Sequence, residues 1–180
     1  MSELPKRKPT RLKNFDYSSV GAYFVTICTQ DRKRILSEIV KDNSNIVGDG
    51  ALDVPKVQLT HIGKIVEKYI LSTEKIPNVY VDQYVIMPDH LHLIIIIKSG
   101  AINSNNACGT SRAPSPTNEM IPRIVSTFKR FCNKDIGYNI FQRSYSEHII
   151  RDQNDYETQR KYIYENPLRW YYKQIDDREN

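Results

Sequence analysis

Residues 79–98 constrain this chain more than any other segment. Val79 to Met87 and His90 to Lys98 are rich in β-branched and aromatic residues, and only Pro88-Asp89, a turn signal, separates them. The pattern predicts two strands joined as a hairpin. In the second arm, Leu91 and Leu93 to Ile97 put large aliphatic side chains at odd and even positions alike. A strand of that kind has no solvent face, so it belongs in the middle of a sheet covered on both sides. With 180 residues the chain can build one domain with a real core.

The remaining elements are read around this hairpin. Tyr23-Phe24-Val25-Thr26-Ile27-Cys28-Thr29 predicts a first strand. Residues 41–56, rich in Asn, Asp and Gly, predict a loop. Gln58 to Thr73 carries Ile62, Ile65, Val66, Tyr69 and Ile70 at helical spacing and predicts an amphipathic helix that His61 helps to open. Residues 99–118 hold almost no large apolar side chain and predict a flexible insert. Ile121, Ile124, Val125, Phe128, Phe131 and Cys132 predict a second helix, and Phe141 to Ile150 a further strand. Asp152 to Asn166 predicts a last helix, ended by Pro167. The order strand, helix, strand, strand, helix, strand, helix is that of an α+β, ferredoxin-like antiparallel sheet (βαββαβ) with two packing helices and one additional C-terminal helix. The domain expected is residues 19–175, preceded by a basic arm over residues 1–18 that includes Arg11 and Lys13. A solvated tail and a DNA-contacting arm both fit that arm.

His90 and His92 are two residues apart on the central strand, so both imidazoles project from the same face. In a strand otherwise made of Leu and Ile, two buried imidazoles are costly without partners or a cavity. Together they can hold one divalent ion. They are too few for a zinc site, which takes three or four nitrogen or sulfur ligands, and no cysteine stands at ligand spacing. Mg²⁺ or Mn²⁺, completed by oxygen ligands and a substrate phosphate, fits better and points to phosphoryl chemistry. Asp89 either orients a histidine or simply makes the turn.

The last helix carries Tyr156, Tyr162 and Tyr164. Advancing 100° per residue puts Tyr156 and Ile163 on one stripe, with Tyr164 at its edge, as the expected buried face. It puts Tyr162 on a polar side with Asp155, Thr158, Gln159 and Asn166. A tyrosine there is either an amphipathic surface residue or a nucleophile whose phenolate can attack a phosphodiester and store the bond energy for rejoining. Asn166 is one turn on from Tyr162 and is a candidate third metal ligand, or else a residue that ends the helix before Pro167.

Net charge is +5 and the pI about 9.0, a balance that suits a polyanionic partner. Arg123, Lys129, Arg130 and Lys134 on the second helix, with Arg143 and His148 further on, could follow a DNA backbone; a solvated helix face explains the first four equally well, and His148 reads equally as a paired strand residue. Cys28, Cys108 and Cys132 form neither a CxxC pattern nor a disulfide framework, which suggests a reducing cytoplasm. The longest apolar run is far too short to span a bilayer, so no membrane role is expected.

These motifs together resemble the HUH single-strand tyrosine transposases, in particular the REP-associated tyrosine transposase type. The matching pieces are Tyr23 to Gln30, Val85-Ile86-Met87-Pro88-Asp89-His90-Leu91-His92-Leu93, Tyr145 to Arg151, and Tyr162-Ile163-Tyr164-Glu165-Asn166-Pro167. The resemblance implies a catalytic Tyr162, metal ligands His90, His92 and Asn166, and single-stranded, hairpin-containing DNA as partner. It implies a 5′-phosphotyrosine intermediate in cleavage and rejoining. In some relatives the tyrosine helix is exchanged within a homodimer. Two rival expectations stand beside it: a non-catalytic nucleic-acid-binding module on the same fold, and a metal-dependent hydrolase in which water attacks.

Overall fold

The computed structural model describes residues 20–40, 55–99 and 120–179; the basic arm with Arg11 and Lys13, most of the 41–56 loop and nearly all of the 99–118 insert lie outside them. Four strands, β1 (Gly21–Cys28), β4 (Val79–Ile86), β5 (His90–Ile97) and β6 (Ser146–Ile150), form one sheet in the order β4-β5-β1-β6. Every pairing is antiparallel. With α1 (His61–Ser72) between β1 and β4, and α2 (Met120–Ile136) between β5 and β6, this is the expected ferredoxin-like unit. The aliphatic strand β5 and β1 occupy the two central places, as a strand without a solvent face requires.

The alternation of β1 and β5 separates two cores. Tyr23, Val25, Ile27, Leu91, Leu93, Ile95 and Ile97 face α1 and α2, where Val66, Ile70, Ile121, Ile124, Val125 and Phe128 meet them. The alternate residues face α3 (Gln153–Glu179), and Val85, Met87 and Ile94 pack there against Ile163, flanked by Phe24, Tyr156 and Trp170. A two-stranded sheet of β2 (Ser37–Val40) and β3 (Lys56–Leu59) borders this second core with Ile39 and Val57.

Four details depart from the sequence expectation. Lys56-Val57-Gln58-Leu59 is a strand, although Lys56 was assigned to a loop and Gln58 to a helix; its polar-apolar alternation has period two. The first helix therefore starts at His61, capped by Thr60, whose side chain accepts from the Gly63 amide at 3.0 Å. A Cβ at Gly63 would stand 2.0 Å from the Leu36 carbonyl oxygen, so this close approach of helix and chain requires glycine. The last strand begins at Ser146; Phe141 forms only a single bridge with Thr29. The last helix does not stop at Pro167 but runs 27 residues to Glu179. An internal proline deprives the carbonyl four residues back of its donor, typically at a cost of ~3 kcal/mol. Here Ile163 on one side of Pro167 and Trp170 on the other pack into the same core, and that burial outweighs the lost bond.

A candidate active site between the sheet and the last helix

The Met87-Pro88-Asp89 turn delivers the two histidines, and the fold holds it on both sides. The Leu36 amide donates to the Pro88 carbonyl at 3.0 Å, the Thr29 amide and hydroxyl donate to the Asp89 carbonyl at 2.9 Å, and the Ser37 hydroxyl donates to the Ile86 carbonyl at 2.7 Å. His90 and His92 then emerge on the α3 face, with ring centroids 4.7 Å apart.

Each imidazole is held through Nδ1. His90 Nδ1 bonds the Asp89 carboxylate, and His92 Nδ1 bonds Thr26 Oγ1 at 2.8 Å. Asp89 is thus both a turn residue and an orienting residue. With the ring proton on Nδ1, each Nε2 keeps its lone pair. His92 is only 4% exposed, and its Nε2 is buried with no hydrogen-bond partner among the described residues. An orphaned buried acceptor is rare and needs an explanation; a metal ion supplies one.

Electrostatics favour the same state. Burial lowers the pKa of His90, with the Asp89 hydrogen bond opposing it. Burial also pushes His92 down to about 3, helped by the charges of His90 and Arg32. Neutral imidazoles at pH 7 are the form that binds metal. No group of three His, Cys, Asp or Glu side chains that could hold a metal ion occurs among the described residues, so a third ligand drawn from them would have to be of another type. The donor set fits an open site for a hard ion shared with substrate oxygens, not a closed zinc site.

Helix α3 brings Tyr162 to this pair. Its ring lies 5.1 Å from His92 and 5.9 Å from Phe24, both edge-on, and the guanidinium of Arg169 lies 5.7 Å from its centroid. Within this single chain α3 packs back on its own sheet and sets Tyr162 beside His92. Tyr162 is 37% exposed and Tyr164 71%. The expected helix faces therefore need correction: Tyr162 flanks the sheet-packing seam and Tyr164 faces solvent. Neighbouring residues differ by only 100°, so Tyr162 lies beside Ile163 rather than opposite it.

A cleft of about 440 Å³ opens over these groups, lined by Phe24, Thr26, Arg32, His90, His92, Ser146, Gln159 and Tyr162. Asn166 is buried at 7% exposure, one turn beyond Tyr162, and does not line the cleft. Arg32 escaped sequence reasoning, because its place depends on loop conformation, and Ser146, inside the Tyr145 to Arg151 piece, was given no role there because its place depends on strand pairing. Asp31 and Arg32 have φ of 55° and 54°, in the left-handed region. Non-glycine residues are held there at a cost of order 1–3 kcal/mol each, and such strain gathers at functional sites.

The basic residues divide. Arg130, Lys134 and Arg143 share a separate cleft of about 660 Å³ with Tyr138 and Tyr145. Lys129 also borders that cleft, but its ammonium donates to the carbonyls of Gln142, Arg143 and Ser144 at 2.8, 3.3 and 3.0 Å, and burial pushes its pKa down to about 8. It is spent on holding the chain before β6. Arg123 is exposed on α2 outside this cleft. His148 pairs with Asp155 at 2.8 Å and joins β6 to the start of α3.

No model of a known protein family matches the chain. An uncharacterized protein of Haemophilus influenzae is 32% identical over 94% of this chain and 92% of its own length. A second Haemophilus influenzae protein, named for a REP-associated tyrosine transposase, is 26% identical over 89% of this chain and 77% of its own. Among solved structures, a REP-associated tyrosine transposase bound to a REP hairpin superposes with a TM-score of 0.57 at 19% identity, covering 94% of this chain and 74% of that one. Its fold is the fold described above.

Proposed function

We propose that this chain, as a member of the HUH single-strand tyrosine transposases of the REP-associated type, cleaves and rejoins single-stranded DNA through Tyr162. The observation that carries this reading is the placement of the Tyr162 ring 5.1 Å from His92, beside a buried imidazole nitrogen that lacks a partner among the described residues.

Tyr162 Oη attacks the scissile phosphorus. The Oη–P bond forms and the P–O3′ bond breaks, with its electron pair going to the 3′ oxygen. The phenol gives up its proton to solvent and the 3′ oxygen takes one, leaving a 5′-phosphotyrosine and a free 3′-OH. A second 3′-OH reverses the exchange without ATP, because the phosphotyrosine has kept the bond energy. His90 and His92 would hold Mg²⁺ or Mn²⁺, with Asn166, buried one turn beyond Tyr162 and set back from the cleft lining, proposed as the third ligand. When bound, the ion supplies Lewis-acid stabilisation at a non-bridging phosphate oxygen. Asp89 and Thr26 fix the imidazoles for that duty. Phe24 and the apolar seam limit water on one side of the cleft.

The solved neighbour is bound to a REP hairpin, and a hairpin-bearing strand is the substrate class we propose for this chain. Arg130, Lys134 and Arg143, with Tyr138 beside them, form a basic and aromatic cleft suited to a phosphate backbone. Among the described residues no helix is long and apolar enough to cross a membrane.

Incubation with end-labelled, hairpin-bearing single strands tests the reading. The expected product is a covalent protein–DNA adduct that requires Mg²⁺ or Mn²⁺, disappears with EDTA and is absent in Tyr162→Phe. An adduct in Tyr162→Phe, or cleavage without any adduct, overturns it; the second result would favour hydrolysis by water.

A further inference from the structure

We propose that Arg32 is a catalytic residue that binds the scissile phosphate and offsets the negative charge that grows there during attack. This rests on Tyr162 as the nucleophile and adds a group that none of the sequence motifs contains.

Three observations carry it. Arg32 lines the same cleft as His90, His92 and Tyr162, with its side chain 56% exposed. Its backbone and that of Asp31 are both left-handed, a region that aspartate tolerates and a long side chain such as arginine adopts uncommonly. The turn is closed by hydrogen bonds from the Arg32 amide to the Thr29 carbonyl and from the Lys33 amide to the Gln30 carbonyl, both 3.2 Å, so the strained backbone is built in.

The third observation concerns charge. The guanidinium Nη1 stands 3.8 Å from Asp89 Oδ1, the oxygen that already accepts from His90. Among the described residues, one long ion pair leaves most of the five guanidinium donors unspent. A fixed cation and a pair of metal-ready imidazoles therefore face one cleft. With a divalent ion held by the imidazoles, guanidinium and ion would be two positive centres on one cleft, and Asp89 at 3.8 Å offsets only part of that charge. A phosphodiester satisfies both, with one non-bridging oxygen on the guanidinium and the other on the histidine side. Asp89 keeps the guanidinium at the cleft rim while orienting His90.

The test compares charged and neutral linkages. Wild type is first used to map the cut position on a hairpin-bearing single strand. The same strand is then made with a methylphosphonate at that position, which removes the phosphate charge. On the ordinary phosphodiester, Arg32→Ala is expected to slow adduct formation by about 10²–10³-fold, with hairpin binding weakened less than about tenfold, and Arg32→Lys to recover part of the rate. On the methylphosphonate, wild type and Arg32→Ala are expected to react within a few-fold of each other. An equal penalty on both linkages, or none on the phosphodiester, overturns the role of Arg32 and leaves Tyr162 standing. If wild type forms no Tyr162 adduct at all, both readings fall.

Discussion

The two faces of the central sheet are built from the same two strands and do opposite work. On one face, Tyr23, Val25, Ile27, Leu91, Leu93 and Ile95 close against α1 and α2 with almost no polar atom among them. On the other, Phe24, Thr26, His90 and His92 share a cleft with one helix, and an imidazole nitrogen lies buried without a partner among the described residues. The dry face stabilises the fold. The α3 face carries polar groups whose burial costs stability unless they are used. The difference follows from side-chain alternation alone, since each strand contributes every second residue to each face.

Substitutions on either face test that division. The largest expected effect is on the cleft side: His92→Ala should lower metal-dependent adduct formation by about 10³-fold or more, while a thermal melt stays cooperative. On the dry face, Ile95→Ala should cost about 2–5 kcal/mol in urea unfolding, with adduct formation per folded molecule unchanged. If Ile95→Ala abolishes chemistry in molecules that remain folded, the separation of faces is wrong. Thr26→Val keeps the shape but removes the bond to His92; Mn²⁺ affinity measured by calorimetry should fall about 10–100-fold, with little change in melting.

The smallest effect is on pH dependence. His92 titrates at about 3 when folded and near 6.5 when unfolded, so between those values only the unfolded chain takes up the proton. Stability of the metal-free protein should therefore be full above pH 6.5 and decline as pH falls below it, by at most about 1.4 kcal/mol per unit from this residue. His90 is lowered too and adds in the same direction. Urea midpoints between pH 7 and pH 5 measure the slope, and His92→Gln should flatten it. A slope that persists unchanged would place the proton uptake elsewhere.

The fold was legible wherever periodicity was long and unmixed. The aliphatic β5 announced a central strand, and the element order gave the topology. The histidine pair and Tyr162 were legible because each sits in a short motif whose geometry is local. What escaped depends on distant partners. Arg32 reaches the cleft through a left-handed turn that no residue pattern signals. The basic stripe on α2 looked uniform, yet Lys129 turns inward to three carbonyls while Arg130 and Lys134 remain available. Pro167 read as a stop because its local cost is plain, whereas the compensating packing of Ile163 and Trp170 is tertiary.

The alternation in β5 also governs which genetic changes this protein tolerates. Deleting one residue between Ile86 and His90 could exchange the faces of the whole strand, carrying His90 and His92 into the apolar core and Leu91 and Leu93 into the cleft. The core and the chemistry would be lost in one event. A shift of register thus offers no route to a folded but harmless descendant.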